Sequence, residues 1–407
     1  MPALTRRGQF LLLGALLLII SGRLFGLPEL FGLAAAAIAL VIGASVYVGL
    51  ARYRVSAIRQ VRPPRVHAGS GSRVELAVRN LGSRRTPVLG TRDPFDGGRR
   101  WARFQLAPLD PGETARAAYR LPTDERGVFP LGPLQLTLSD PFGLASATSL
   151  TAPQTSLTVY PRVDRIRPLP QAPGPDPNAS ASHPTALSLT GEDFYALREY
   201  QPGDDIRRVH WPSTARLDEL TIRQDELPWQ GRTTVVADLR SIVHTPESFE
   251  LVLSAVASIL TASWRTLSLT RMLTTDGTDS GFGSGHAHGE ALLEYLAAAN
   301  PRDGMSLVSV LGGLSRHGST GGLVIVTTSR AASQDLAAAG TLRRGFGAST
   351  VVLFERSAWD MTAAGAQAPI RTVPRGGRFV RVTAESSFAE AWEQTVPGGR
   401  RRIGAFR

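Results

Sequence analysis

The chain has 407 residues, enough for two or three domains, and its 43% apolar content is that of a protein with real cores. It carries a net charge of +11, and all 45 of its basic residues are arginine. With neither cysteine nor lysine, it excludes disulfides, thiolate nucleophiles, Cys-ligated zinc, a P-loop lysine and Schiff-base chemistry, and it contains no Gly-x-Ser-x-Gly or His-Glu-x-x-His.

Two apolar stretches open the chain. The first runs through residues 10–20 and resumes beyond Arg23; the second, residues 30–50, holds no charge. A bilayer-spanning helix needs about 20 apolar residues. The pattern predicts a transmembrane hairpin over residues 1–52, with spans at 9–27 and 30–50. A signal peptide is the competing reading of the first stretch. It is disfavoured because the second stretch follows at once without a small-x-small cleavage site. Arg6 and Arg7 precede the first span, and Arg52, Arg54, Arg59, Arg62 and Arg65 follow the second. Positive residues stay on the cytoplasmic side, so both termini are expected there, with arginines beside the spans meeting the anionic inner leaflet of the cell membrane. The excess arginine also has a plain origin in GC-rich coding sequence.

From residue 53 to 163 the hydrophobic period becomes two. Val74-Glu75-Leu76-Ala77-Val78, Leu134-Gln135-Leu136-Thr137-Leu138 and Ser156-Leu157-Thr158-Val159-Tyr160 alternate as half-buried strands do. Turn signals at Ala68-Gly69-Ser70-Gly71, Asn80-Leu81-Gly82, Asp110-Pro111-Gly112-Glu113 and Asp140-Pro141-Phe142-Gly143 separate them. This pattern predicts an immunoglobulin-like β-sandwich of about 100 residues. Trp101 and Phe104 are both expected in its core. Residues 164–190, rich in Pro, Ala and Ser, read as a linker.

Residues 191–395 read as an α/β domain. It opens on Leu197-Arg198-Glu199-Tyr200-Gln201-Pro202-Gly203-Asp204-Asp205-Ile206-Arg207-Arg208-Val209-His210-Trp211, closed by Ala215-Arg216. Charges this dense among apolar residues must pair wherever they are buried, so the segment reads as a framework or docking surface. Asp204-Asp205 fits a helix N-cap with first-turn acid. β-Branched runs at 233–238, 322–327 and 350–354, with weaker ones at 267–273 and 379–382, alternate with helical patterns beginning at Pro246-Glu247 and over 290–299, 331–343 and 389–392. Such alternation builds a parallel sheet with helices on both faces, whose ligands sit at the carboxyl ends of the strands. Asp238 takes that place on the first strand. The basic tail, 396–407, is read as free to touch lipid.

The long motif resembles the hallmark of the bacterial domain of unknown function 58 family. Arg126-Gly127-Val128-Phe129-Pro130-Leu131-Gly132-Pro133-Leu134, Asp140-Pro141-Phe142-Gly143-Leu144 and Tyr160-Pro161-Arg162-Val163 fit its layout too. The resemblance implies a von Willebrand factor A-like C-terminal domain. It also implies a setting: relatives are commonly encoded beside MoxR-type AAA ATPases and transglutaminase-like membrane proteins, the expected protein partners. It supplies no reaction.

A metal-binding von Willebrand factor A domain presents Asp-x-Ser-x-Ser after its first strand. Here the run is Asp238-Leu239-Arg240-Ser241-Ile242, with Arg240 and Ile242 in place of the two serines. A guanidinium neither coordinates nor tolerates a divalent cation. Thr328-Ser329-Arg330 also stands where an Asp is expected. No metal and no cofactor are therefore expected, with Arg240 pairing Asp238 instead. His286-Ala287-His288 is read as part of a flexible Gly-rich loop. His210, where relatives often carry Asp, is read as a hydrogen-bonded framework residue.

The function expected is a membrane-anchored, non-enzymatic adaptor accessory to a MoxR-type ATPase. Its docking motif comprises Arg198, Glu199, Tyr200, Gly203, Asp204, Asp205, Arg207, Arg208, His210, Trp211, Ala215 and Arg216. The alternatives are a hydrolase using Asp204, Asp205 and His210, or an Arg-rich nucleic-acid binder. The latter lacks the aromatic-basic stripe that stacks bases.

Overall fold

A computed structural model describes residues 3–51, 53–170, 194–200, 209–217, 219–225, 231–316, 321–341, 346, 348–360 and 378–396. The chain divides into two compact units, residues 1–162 and 163–407.

The first unit opens with a two-residue strand β1 (Ala3–Leu4), then helices α1 (Arg6–Phe25) and α2 (Glu29–Leu50). Both helices are long and apolar enough to cross a membrane. At 1.5 Å per residue each is about 30 Å long, the thickness of a bilayer's hydrocarbon core. Phe10, Leu13, Leu16, Leu17, Leu24, Leu33, Ile42 and Leu50 are all more than half exposed. Gly26, left-handed at φ 67°, ends α1, and its N–H bonds back to the Gly22 carbonyl.

The strands that follow are β2 (Val55–Arg62), β3 (Arg65–His67), β4 (Ser72–Asn80), β5 (Leu89–Phe95), β6 (Arg100–Leu106), β7 (Thr114–Leu121), β8 (Gly127–Leu131), β9 (Leu134–Ser139), β10 (Ala145–Ala152) and β11 (Thr155–Tyr160). They form a three-stranded sheet, β2-β4-β7, and an eight-stranded sheet, β1-β10-β9-β5-β8-β11-β3, with β6 paired to β5. Val74, Leu76 and Val78 of the first sheet share one core with Leu89, Leu136, Leu138 and Leu157 of the second. Trp101 and Phe104 part company. Three residues apart on one strand, they face opposite sides, so Phe104 packs on the core while Trp101 is 46% exposed.

The helical hairpin is fastened to these sheets through the Asp140-Pro141-Phe142-Gly143 turn. β1 pairs with β10. The Thr5 N–H donates to the Leu144 carbonyl at 2.9 Å, and its hydroxyl donates to the Gly143 carbonyl at 2.5 Å while capping α1 at the Gly8 N–H. Gly8 is required there, since a Cβ would stand 2.3 Å from the Leu144 oxygen. The Asp140 carboxylate accepts from the Phe142 and Ala145 N–H groups and holds the turn.

The unit is also crossed by a buried ion pair. Arg59 of β2 donates to Asp93 of β5 at 2.6 Å and to the carbonyls of Leu131 and Pro153, while the Tyr119 hydroxyl on β7 donates to the other Asp93 oxygen at 2.7 Å. Gly132, at φ 86°, leaves the space that the guanidinium fills. Arg59 was expected to face the membrane with its neighbours; its side chain is instead 1% exposed, spent between the two sheets.

The second unit contains β12 (Phe194–Glu199), α3 (Trp211–Leu217), β13 (Thr221–Asp225), β14 (Arg232–Ala237), α4 (Pro246–Arg265), β15 (Leu269–Thr274), α5 (Gly285–Ala298), α6 (Leu307–Arg316), β16 (Gly322–Thr328), α7 (Ser333–Thr341), β17 (Ala348–Phe354), β18 (Arg378–Val382) and α8 (Phe388–Thr395). Its main sheet is five-stranded and parallel throughout, ordered β15-β14-β16-β17-β18. Val236, Leu323, Ile325, Val351 and Leu353 on one pleat surface pack against Leu307, Val310, Leu311 and Leu314 of α6 and Leu336 of α7. Val235, Val324, Val326 and Val352 alternate to the other surface, and α4 lies across strands β14 to β17. A capping box between Thr245 and Ser248, with Pro246 in the first turn, starts α4.

Three expectations change. Helix α6 is absent from the sequence reading. Residues 164–170 are not free linker: the Asp164 N–H donates to Ser258 Oγ on α4, and buried Trp392 of α8 donates its indole N–H to the Arg167 carbonyl. His286 and His288 lie in the first turns of α5, not in a loop. His288 Nε2 bonds the Thr270 carbonyl at 2.9 Å, and His286 pairs with Glu290 one turn on and stacks on Trp264.

Candidate functional site at the carboxyl edge of the parallel sheet

Parallel strands deliver their carboxyl ends to one edge, where chain reversals leave polar groups uncommitted to the ladder. Asp238 follows β14 directly and is fully buried. Two residues later the chain turns back, so Arg240 meets Asp238 as a fork: Nε donates to Oδ1 at 2.8 Å and Nη2 to Oδ2 at 2.7 Å. The same Nη2 donates to Asp335 in the first turn of α7 at 2.9 Å, and the Thr327 hydroxyl at the end of β16 donates to Asp238 Oδ2 at 2.8 Å. The Arg240 side chain is 8% exposed, and its hydrogen bonds to Asp238 hold it protonated against burial. Asp335 is the residue that sequence reading missed. An Asp is expected just after β16, and the carboxylate comes instead from the next helix.

The turn is pinned from outside as well. Leu239 N–H donates to Thr275 Oγ1, Ser241 N–H to the Arg302 carbonyl, and Thr328 Oγ1 to the Val243 carbonyl. His244 Nε2 donates to the Asp238 carbonyl at 2.6 Å. Burial pushes the His244 imidazole below its ordinary range, outweighing that bond, so the ring is neutral at physiological pH. Ile242 sits on the rim, 69% exposed.

The carboxylates of Asp238 and Asp335 thus converge, but on a guanidinium, while the Thr327 hydroxyl is spent on Asp238. A divalent cation at that point would have to expel Arg240 from a buried bidentate pair, so the residues present do not fit one. Next along the edge lies a cleft of 590 Å³, lined by Thr245, Glu247, Arg330, Arg356, Trp359 and Asp360 from the start of α4 and the loops after β14, β16 and β17. Arg356 Nε donates to Asp360 within it at 2.9 Å.

The long charged motif is built separately from this sheet. β12, holding Arg198 and Glu199, pairs antiparallel with β13, and Glu199 lies opposite Thr221. Tyr200 N–H donates to the Leu220 carbonyl and His210 N–H to the Thr221 carbonyl, so the two ends of the motif meet on the same hairpin. His210 Nδ1 lies 2.8 Å from Ser213 Oγ in α3. On α3, Trp211, Ala215 and Arg216 are exposed. Gly203, Asp204, Asp205, Arg207 and Arg208 lie outside the described residues.

The class that emerges is a parallel α/β domain with an arginine-filled carboxyl edge, in a chain that opens with two apolar helices and a β-rich region. Residues 196–355 match the family described as Protein of unknown function DUF58. A search of the curated proteins found no match. Among solved structures, the chain is similar to the CARDB domain of a Pyrococcus furiosus protein crystallised with di-metal ions (14% identity, 27% of this chain and 96% of that one, TM-score 0.21). It is also similar to manganese-loaded Plasmodium vivax TRAP protein (14% identity, 39% and 71%, TM-score 0.28). A third similarity is to a β-glucosidase from Erythrobacter marinus (15% identity, 26% and 15%, TM-score 0.19).

Proposed function

We propose that this protein is a membrane-anchored, non-enzymatic adaptor that docks another protein at the carboxyl edge of its α/β sheet, as an accessory of a MoxR-type AAA ATPase. The hairpin spans a bacterial cell membrane with both termini cytoplasmic. An immunoglobulin-like sandwich follows it, and then a von Willebrand factor A-like domain. The observation that carries this reading is the commitment of Asp238 and Asp335 to Arg240. The carboxylates that would hold a reactive ion or move a proton are neutralised from within, and His244 is held neutral beside them. An edge with a cleft of mixed charge and a tryptophan suits recognition of a polypeptide surface.

Cross-linking mass spectrometry on native membranes tests the partner. The expected result is capture of an AAA ATPase, reduced at least tenfold by Trp359→Ala or Arg330→Glu. Recovery of lipid alone counts against the reading. So does turnover in a broad substrate panel that His210→Ala abolishes with the fold intact. Because the chain has no native cysteine, single cysteines at Gly26 and Arg65 report orientation directly: only the first is expected to react with an impermeant thiol reagent from outside the cell.

A further inference from the structure

In the first unit, β5 and β6 pair so that Arg92 lies directly opposite Arg103, and Pro94 opposite Trp101. Period-two alternation puts Arg92, Trp101 and Arg103 together on the outward face of the sheet. The two guanidinium carbons stand 4.6 and 5.0 Å from the Trp101 ring centroid, one indole held between two cations. Like charges directly opposite each other on a ladder destabilise it. On the described neighbouring strands no carboxylate answers them: the outward positions on β9 and β10 are Gln135, Thr137, Thr148 and Leu150. Among the described residues neither arginine forms an ion pair.

β6 is also an edge. Among the described residues its only partner is β5, so the outer N–H and C=O groups of its seven residues are left without a ladder. Charge on an edge strand is a common guard against unwanted pairing. That role accounts for Arg103, but not for Arg92, which sits on the interior strand β5 and is aimed at the same indole.

We infer that this face is a binding site for an extended acidic peptide, which adds to the open edge of β6 and lays a carboxylate between Arg92 and Arg103. A strand supplies both missing partners at once, main-chain groups for the edge and an anion for the arginine pair. A lipid headgroup supplies only the anion. A nucleic acid would find one indole and no second stacking platform. The site belongs to the N-terminal unit alone and stands whether or not the carboxyl edge of the α/β sheet docks a partner.

The test uses the full chain in a neutral detergent and a fluorescein-labelled decapeptide of alternating glutamate and threonine. Its glutamine-threonine counterpart, vesicles of phosphatidylglycerol and single-stranded DNA serve as competitors. The acidic peptide is expected to bind at least tenfold more tightly than the glutamine peptide. Binding should weaken at least tenfold in the Arg92→Gln/Arg103→Gln variant and in Trp101→Ala, with hydrogen-exchange protection gained over residues 100–106 in the complex. The double variant relieves a like-charge pair, so its thermal unfolding temperature should be unchanged or higher, and that outcome supports a binding role. Equal affinity for both peptides, binding unaffected by the double variant, no protection on β6, a lowered unfolding temperature in the double variant, or displacement only by vesicles or DNA would each overturn the inference.

Discussion

Arg59 and Arg240 are both buried and both bound to an aspartate, yet they hold different things together. Arg59 lies between two sheets, its Nη1 on Asp93 and its Nη2 on the backbone carbonyls of Leu131 and Pro153. It is sealed on every side and works as an inter-sheet strut. Arg240 lies at the rim of a parallel sheet, and its carboxylate partners come from the loop after β14 and the start of α7. There the same chemistry stands at the edge where such folds meet ligands. A buried arginine pair is thus structural or functional according to where the chain places it, not by its own bonds.

The comparison breaks most readily at Arg59. Arg59→Ala leaves Asp93 buried without its cation and should cost about 3–5 kcal/mol, read as a lowered unfolding midpoint of the first unit. Arg59→Met with Asp93→Leu should recover much of that. If the single substitution is silent, the strut reading fails.

At the rim, Arg240→Ser should behave differently. It removes a cation but leaves Asp238, Thr327 and Asp335 facing an open site. Added Mn²⁺ is expected to raise the unfolding temperature of this variant and leave the parent chain unmoved. At about 100 times its dissociation constant the ion would restore about 2.7 kcal/mol. A manganese response in the parent chain would show that Arg240 yields to metal and would undo the plugged-edge reading.

His244 sharpens the contrast through pH. Its folded pKa lies below the unfolded value of 6.5. The contribution of its neutral ring is therefore present above that value and is lost as pH falls through the folded pKa. The second unit should weaken on acidification from pH 7 to 5, and His244→Phe should flatten that slope in a denaturation series.

The smallest effect belongs to Asp276, just past β15. Burial raises its pKa, but bonds from Thr274, Tyr295 and Thr278 outweigh this and hold it at about 2 against an ordinary 3.8. Its stabilisation is complete above 3.8 and disappears as pH falls towards 2. Tyr295→Phe removes the 2.6 Å bond to Asp276. It should raise that pKa, visible by NMR titration, at a cost of about 1 kcal/mol or less once solvent screening is allowed for.

Much of this was legible in the residues. The two apolar helices were, because one run of bilayer length is free of charge and the other is broken only at Arg23. The sheet strands were, because β-branched runs such as Leu323-Val324-Ile325-Val326-Thr327 have one common use in an alternating α/β pattern. The pairing of Asp238 with Arg240 was, because two residues in one tight turn meet wherever the turn goes. Helix α6 escaped because Gly312 and Gly313 interrupt its pattern. The start of α5 was hidden by glycines that read as loop. Trp101 was misplaced because an aromatic in a strand is assigned to the core unless its face is known.

Composition and period alone determined the kinds of element and their order: two apolar helices, short alternating strands, then strands and helices in turn. They did so because these signals are local and repeat along the chain. Only the tertiary structure decided that Asp335 joins Asp238, that Arg59 is a strut and not a lipid contact, and that Arg92 confronts Arg103. Each of those facts depends on register and on chain crossings between distant residues, where a shift of one position turns every side chain to the other face.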